Sequence, residues 1–247
     1  MEPILDYDTF YRFGDFSHDV TRSRSLLQAL LGKHPVPRGG LVLDVGAGTG
    51  FHTRLLATFG LRVLGTDLSK VAVGKAVSED KERARFVVAD CRDLPFRSRS
   101  VGCVFSLALT LFSNVDDLER TRAAVDEILR VLEFGGVLYL LWSSDLSGQR
   151  RFWPTGGSWM HYTRAQWATF LSSFEGAELV ATYVGYNRSF PLLRRLALTP
   201  SASLLTAALT RVTGHRALLI CVVRRTVAGG YQACGHARTP GASGQFG

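Results

Sequence analysis

Leu41-Val-Leu-Asp-Val-Gly-Ala-Gly-Thr-Gly50 is an apolar run that stops abruptly at three alternating glycines. Leu41, Val42, Leu43 and Val45 read as a buried parallel strand, too short for a helix and bounded by breakers. Gly46, Gly48 and Gly50 form a turn in which a side chain would keep a ligand away from the backbone. Phe51, Leu55 and Phe59 then recur with the spacing of one helix face. Strand, glycine turn and helix follow in the order used by nucleotide-binding α/β folds. Glycines alone also fit an ordinary strand-to-helix turn, so the surrounding chain has to decide.

The same grammar continues downstream. Leu61, Val63 and Leu64 make a second strand ending at Asp67, close to the position about 20 residues past the turn where an acid can accept from ribose hydroxyls. Ser69 can cap the helix that runs on through Val73 and Val77. Arg85 to Ala89 forms a third strand that again ends in an acid, Asp90. Val101 to Leu109 is a fourth apolar run. Leu118, Val125, Ile128, Leu129 and Leu132 lie at helical spacing before Gly135, Gly136 and a fifth strand from Val137 to Trp142. Strands alternating with helices predict a parallel sheet covered on both faces.

Composition sets the outer limits. The chain has 247 residues, with 46% hydrophobic and 20% charged, which fits one sizeable folded α/β domain. No apolar run reaches the roughly 20 residues needed to span a bilayer, and the first 16 residues carry acids where a signal peptide would be basic and apolar. A cytoplasmic location is the expectation. Cys91, Cys103, Cys221 and Cys234 lack the close pairing of a zinc site, so reduced structural thiols and no metal are expected. The formal charge of +8 invites a nucleic-acid or anionic-membrane partner. No groove-reading helix, zinc finger or stacked aromatic motif accompanies it, so a nucleic-acid partner is not expected.

Together these residues resemble the class I S-adenosylmethionine-dependent methyltransferases of the small-molecule type. The family's glycine motif looks like Leu43-Asp-Val-Gly-Ala-Gly-Thr-Gly, its ribose acid falls on Asp67, and its adenine-side acid with the following Leu-Pro-Phe falls on Asp90 and Leu94 to Phe96. Glu127-Ile-Leu-Arg-Val-Leu-Glu-Phe-Gly-Gly-Val-Leu is similar to the family's helix-to-fifth-strand signature. The resemblance covers residues 1–225 in outline and 41–142 specifically. It departs at Gly102, where the family usually opens its fourth strand with Asp, leaving that strand's register open, and at Glu133-Phe134. It implies a Rossmann-like, doubly wound, seven-stranded, mostly parallel sheet with an antiparallel last strand. Residues 1–34 would form a helical cap and residues 226–247 a disordered tail.

The resemblance also implies a donor site for S-adenosylmethionine. Gly46, Ala47, Gly48 and Gly50 would lie against the methionine part, and Asp44 would support the turn and reach the ammonium through water. Asp67 would take the ribose, Leu68 would pack on adenine, Asp90 with Cys91 beside it would take the adenine amine, and the Ser106 carbonyl would face the methionine amine. Tyr7 and Tyr11 match an aromatic N-terminal helix that closes over the cofactor. A general base is needed only when the acceptor must lose a proton. His18, His52 and His161 are the candidates. His161, in the variable loop from Ser143 to Tyr162, is preferred, and His52 reads as structural.

Thr163 and Gln166 form a capping box, after which Trp167, Phe170, Leu171 and Phe174 read as core. Leu179 to Tyr186 and Ala217 to Val223 look like the family's final hairpin. The insert between them, Asn187 to Arg216, mixes apolar residues with arginines and reads as a cap over the substrate, a membrane-surface element or a bland extension. The N-terminal helix, the loop from Arg150 to Tyr162 and this insert are expected to enclose a small-molecule methyl acceptor. A nucleic-acid or lipid/quinone acceptor, a nicotinamide-dependent dehydrogenase and a non-catalytic S-adenosylmethionine-binding protein are the competing readings.

Overall fold

The structure is a computed structural model that describes residues 6–14, 19–79, 85–107, 109–113, 117–144, 146–152, 158–186, 198–199 and 217–227. Two N-terminal helices, α1 (Tyr7–Phe13) and α2 (Val20–Lys33), precede the repeating unit. Strands β1 (Val42–Val45), β2 (Val63–Asp67), β3 (Arg85–Val88), β4 (Val101–Leu107) and β5 (Leu132–Ser144) alternate with α3 (Phe51–Ala57), α4 (Lys70–Glu79), α5 (Thr110–Ser113) and α6 (Leu118–Val131). A short hairpin, β6 (Arg150–Phe152) and β7 (Ser158–Met160), follows, then α7 (Arg164–Ser172), β8 (Ala177–Tyr186) and β9 (Ala217–Arg225).

The main sheet has seven strands in the order β3-β2-β1-β4-β5-β9-β8. Neighbours run parallel except β9, which is antiparallel to both β5 and β8. The expected sheet, with its last strand inserted antiparallel, is therefore present. The order reverses between β1 and β4, so the carboxyl ends of these strands flank the crevice where open α/β sheets bind ligands.

Each face of the sheet is buried, which is why its central strands read as continuous apolar runs. On one side Leu43, Val104, Leu138, Leu140 and Trp142 pack against α6 and α7 through Ile128, Leu129, Trp167 and Phe170. On the other, Val42, Cys103, Phe105, Tyr139 and Leu141 pack with Leu27 and Leu30 of α2 and Leu55 and Leu56 of α3. Trp167 meets Trp142 edge-on at 4.8 Å, so the α7 aromatics are core as expected. The Thr163 and Gln166 capping box is formed.

Gly102 is where the fourth strand's register shifts: Val101 pairs with Leu132, but Cys103 pairs with Val137. A Cβ on Gly102 would stand 3.0 Å from the Gly40 Cα, so the absent side chain lets the two backbones approach. The second helix begins at Val20, capped by Asp19, whose carboxylate accepts from the Arg22 N–H. Val77, in the helix that follows Ser69, is 52% exposed, while Val73 is buried. The fifth strand is longer than the apolar run predicted, because Leu132 already pairs with β4 and Ser144 still pairs with β9.

Of the insert, only Leu198 and Thr199 are described. Leu198 is buried, and its carbonyl accepts a 2.6 Å bond from the Lys33 Nζ at the end of α2. That point lies against the last turn of α2, the helix leading into β1. The tail beyond Val227, including Cys234, is outside the described residues. Among those described, Cys91, Cys103 and Cys221 are free thiols, and no helix is long and apolar enough to cross a membrane.

Leu140, fully buried in a central strand, should when cut to Ala destabilise the fold by about 2–5 kcal/mol, whereas Thr163→Ala should cost about 1 kcal/mol for the lost cap. Chemical denaturation of the two variants should show that ranking at an unchanged m-value.

Candidate active site at the carboxyl ends of the strands

The glycine turn joins β1 to α3. Gly46 and Ala47 both donate to the Thr66 carbonyl, at 2.8 and 2.9 Å, which ties the turn to β2. Gly48 and Gly50 have φ of +55° and +85°, a region that side-chain-bearing residues rarely adopt. A Cβ at Gly48 would sit 2.7 Å from the Tyr11 hydroxyl, and one at Gly50 would sit 2.5 Å from the Phe86 ring. The turn therefore admits close approach from above, by Tyr11, and from below, by Phe86.

Asp67, ending β2, is buried, and its two carboxylate oxygens accept from the backbone N–H of Gly48 (2.8 Å) and of Ser69 (2.9 Å). Burial raises its pKa above the usual carboxylate range, against the lowering by those two N–H groups. An ionised carboxylate offers about four lone-pair directions, so acceptor capacity for ribose hydroxyls is left. Leu68, next along, is 51% exposed and open to a stacked ring.

Asp44 lies deeper. It is buried in β1, and one of its oxygens accepts a 2.6 Å bond from the Thr53 hydroxyl of α3, while the other, Oδ1, has no partner among the described residues. Desolvation pushes its pKa up to about 7, and the nearby Asp67 charge adds to the shift. Ser106, near the end of β4, is likewise buried, with its hydroxyl unpartnered among the described residues. Two orphaned polar atoms near a turn that carries no side chain at Gly46, Gly48 and Gly50 suit a ligand that brings both a cation and hydrogen-bonding groups. That is the chemistry of S-adenosylmethionine, and the residues present fit it.

The loop after β3 holds Asp90 and Cys91. Arg92 forks onto the Asp90 carboxylate, with Nη2 at 2.6 Å from Oδ2 and Nε at 3.0 Å from Oδ1, and these bonds hold its pKa down. An adenine amine would share that carboxylate with Arg92. Cys91 is pushed up to about 12 by burial, helped by the Asp90 charge, and stays a thiol. Glu127 of α6 accepts from the Leu94 N–H at 2.7 Å and Arg130 donates to the Leu94 carbonyl at 3.1 Å, so the helix signature clamps this loop.

Helix α1 closes one side. Its Asp8 accepts from the Ser69 hydroxyl (2.5 Å) and the Val71 N–H (3.1 Å), while Ser69 itself caps α4 by accepting from Ala72. These bonds lower the Asp8 pKa. Tyr11 is thereby seated, buried, against Gly48, and Tyr7 lies half-buried on the same helix. Sequence reasoning singled out the two tyrosines and missed Asp8, whose partners are about sixty residues away in the chain.

His161 is buried at the base of the β6–β7 hairpin. Its Nε2 lies 2.9 Å from the Trp159 indole N–H and its Nδ1 3.3 Å from the Ser144 hydroxyl. Since indole only donates, Nε2 accepts, which places the proton of a neutral ring on Nδ1. His52 sits on α3 with its ring edge-on to Phe51 at 4.9 Å, consistent with a structural role, and His18 is outside the described residues.

A strand order reversing beside a glycine turn, followed by an acid ending β2 and another two residues beyond the end of β3, defines a nucleotide-cofactor α/β domain with an inserted antiparallel strand. Residues 43–140 match the family described as methyltransferase domain. The chain is 36% identical over 100 residues to the demethylmenaquinone methyltransferase of Clavibacter sepedonicus, covering 40% of this chain and 39% of that protein. It is 32% identical over 126 residues to the biotin biosynthesis bifunctional protein BioHC of Cellvibrio japonicus, covering 50% of this chain and 24% of that one. The chain thus spans well under two thirds of these relatives' lengths. Solved S-adenosylmethionine-dependent methyltransferases share the fold. So does the [4+2]-cyclase SpnF, at a TM-score of 0.60 and 22% identity over 83% of this chain and 81% of that one. Residues 43–140 are thus similar to a methyltransferase domain, within a fold shared with solved S-adenosylmethionine-dependent methyltransferases.

The Asp44 shift has a measurable consequence. An acid whose pKa rises on folding binds more protons folded than unfolded between the two values, so stability falls as pH rises from about 3.8 to about 7 and then levels. Asp44→Asn keeps an acceptor for Thr53 and should flatten that part of the thermal stability profile of the ligand-free protein. A profile identical to wild type across that interval would show Asp44 to be ionised throughout.

Proposed function

We propose that the protein transfers a methyl group from S-adenosylmethionine to a small molecule, with a quinone-type or similar ring as the preferred acceptor class. The observation that carries the donor reading is the pair of buried acids, Asp44 and Asp67, on adjacent strands beside the glycine turn. A cationic cofactor relieves their mutual repulsion. A nicotinamide dinucleotide would instead bring its pyrophosphate to this turn, against Asp44. The acceptor class rests on the demethylmenaquinone methyltransferases among the relatives.

When bound, the cofactor supplies an electrophilic methyl on a sulfonium. The chain's part is to orient donor and acceptor and to exclude water, since the positive charge disappears in the displacement. The glycine turn would offer backbone for contact, Asp67 would hold the ribose, Asp44 and the Ser106 strand end would face the methionine portion, and Tyr11 packs against the turn at Gly48. Asp90 shares its carboxylate between Arg92 and the adenine amine. The β6–β7 hairpin and α1 leave the rim on which an acceptor would rest. For His161 to take a proton from a hydroxyl acceptor, Trp159 must first withdraw its N–H from Nε2. A nucleophilic carbon or neutral amine requires no such step. A fold shared with a cyclase keeps a second reading open, in which the domain binds the cofactor without transferring its methyl.

Calorimetry should show binding of S-adenosylmethionine and S-adenosylhomocysteine but of no nicotinamide dinucleotide, and Asp67→Ala should weaken it by about 1.5–3 kcal/mol, the range for hydrogen bonds to a charged group. Binding of the dinucleotide alone would overturn the donor reading. Incubation with methyl-labelled cofactor and demethylated quinone analogues should label the ring. Cofactor binding without label in any small-molecule acceptor would favour the second reading.

A further inference from the structure

At the opposite rim of the sheet, the last turn of α2 and the segment Pro35–Pro37 that leads into β1 stand over β5, β9 and β8. Between them is a cleft of about 240 Å³, lined among others by Lys33, His34, Val36, Val137, Val180 and Arg224. This volume is that of roughly eight waters. It lies at the amino ends of the parallel strands, whereas the glycine turn, Asp67 and Asp90 lie beyond their carboxyl ends. The donor site makes no use of it.

Three basic side chains converge there. The His34 ring is fixed by a 2.9 Å contact from Nε2 to the Tyr183 hydroxyl, and its carbonyl accepts from the Tyr139 hydroxyl. Its pKa is lowered by burial and then by the charges of Lys33 and Arg224, so the field of both cations reaches the imidazole. Lys33 donates once to the Leu198 carbonyl and stands 5.0 Å over the Tyr183 ring, which leaves two of its three hydrogens. The carboxylate recorded against Arg224 is Glu178, 3.7 Å away, with both side chains about half exposed. An exposed pair at that distance neutralises little. Val36, Val137, Val180 and Val222 supply apolar wall between these charges.

We propose that this cleft is a second binding site, taking a small anion that combines a carboxylate or phosphoryl head with a short apolar tail. The head would lie among Lys33, His34 and Arg224, where a guanidinium fork and an ammonium suit anionic oxygens. The tail would lie along the valines. Lys33 and Arg224 both keep contact with water, and among the described residues only Glu178 stands near either of them, so an anion in the cleft gains their attraction without having to displace a close ion pair.

The test is a titration of the full chain with inorganic phosphate, acetate and valerate at constant ionic strength, read from the His34 ring resonances by NMR. Saturable shifts at His34 are expected, with valerate binding several-fold tighter than acetate if the valine wall takes a tail. Arg224→Ala and Lys33→Ala should each weaken binding tenfold or more. Phosphate exceeding valerate assigns a phosphoryl head, and the reverse a carboxylate. Shifts that chloride reproduces at equal ionic strength, or affinities unchanged in Arg224→Ala, would overturn the site. The acetate and valerate comparison on the unmodified chain stands whether or not either variant folds.

Discussion

Asp67 is the residue through which the donor end of the molecule is assembled. Its carboxylate accepts from Gly48 in the turn after β1 and from Ser69 at the start of α4, so one buried group joins two βα units. A buried charge is costly unless it is hydrogen-bonded, and here both oxygens are. The bond to Gly48 is possible only because the turn runs through left-handed φ values and carries no Cβ at that point. Ser69 extends the chain of dependence by capping α4 and donating to Asp8, which brings α1 down over the turn. The position of Tyr11 is thus set by a relay that begins at Asp67.

The two buried acids of this end have different partners. Asp67 has two backbone donors, and these offset part of its desolvation. Asp44 has one hydroxyl and an orphaned oxygen, and its pKa near neutrality follows from that shortage. Carboxylates that interact while differing in solvation titrate apart, so near pH 7 the site has one firmly hydrogen-bonded acid and one poised between states. A cationic ligand would settle the second in its ionised form. The site is therefore tuned to a charge it does not itself contain.

How much of this was legible follows from the range of each interaction. The glycine turn, the acid ending β2, the capping box at Thr163 and the aromatic face of α7 are local patterns, and each is present as read, whereas Asp90 falls two residues beyond the end of β3. The Ser69 cap was legible for the same reason. The contact of Asp8 with α4, the fork of Arg92 on Asp90 and the clamp of Glu127 and Arg130 on Leu94 were not, because no local spacing announces a partner on another element. The β6–β7 hairpin was read as a loop, since its strands are only three residues long and exposed at Arg150, Arg151 and Phe152. Gly102 was seen as a departure whose effect was open. Its consequence, a register shift, depends on Gly40 lying across from it.

The same distinction explains why the donor side is better determined than the acceptor side. The proposed donor contacts come from the ends of β1, β2 and β4, which the parallel ladder holds in register. The proposed acceptor rim comes from α1 and the hairpin after β5, which the ladder does not constrain. Sequence can vary there without disturbing the cofactor frame, and proteins of this fold include both methyltransferases and a cyclase. His161 stands at the junction of the two regimes: Ser144 at the end of β5 ties its ring to the sheet, and Trp159 ties it to the hairpin. His161 therefore links the end of a sheet strand, held by the ladder, to a hairpin that the ladder does not hold.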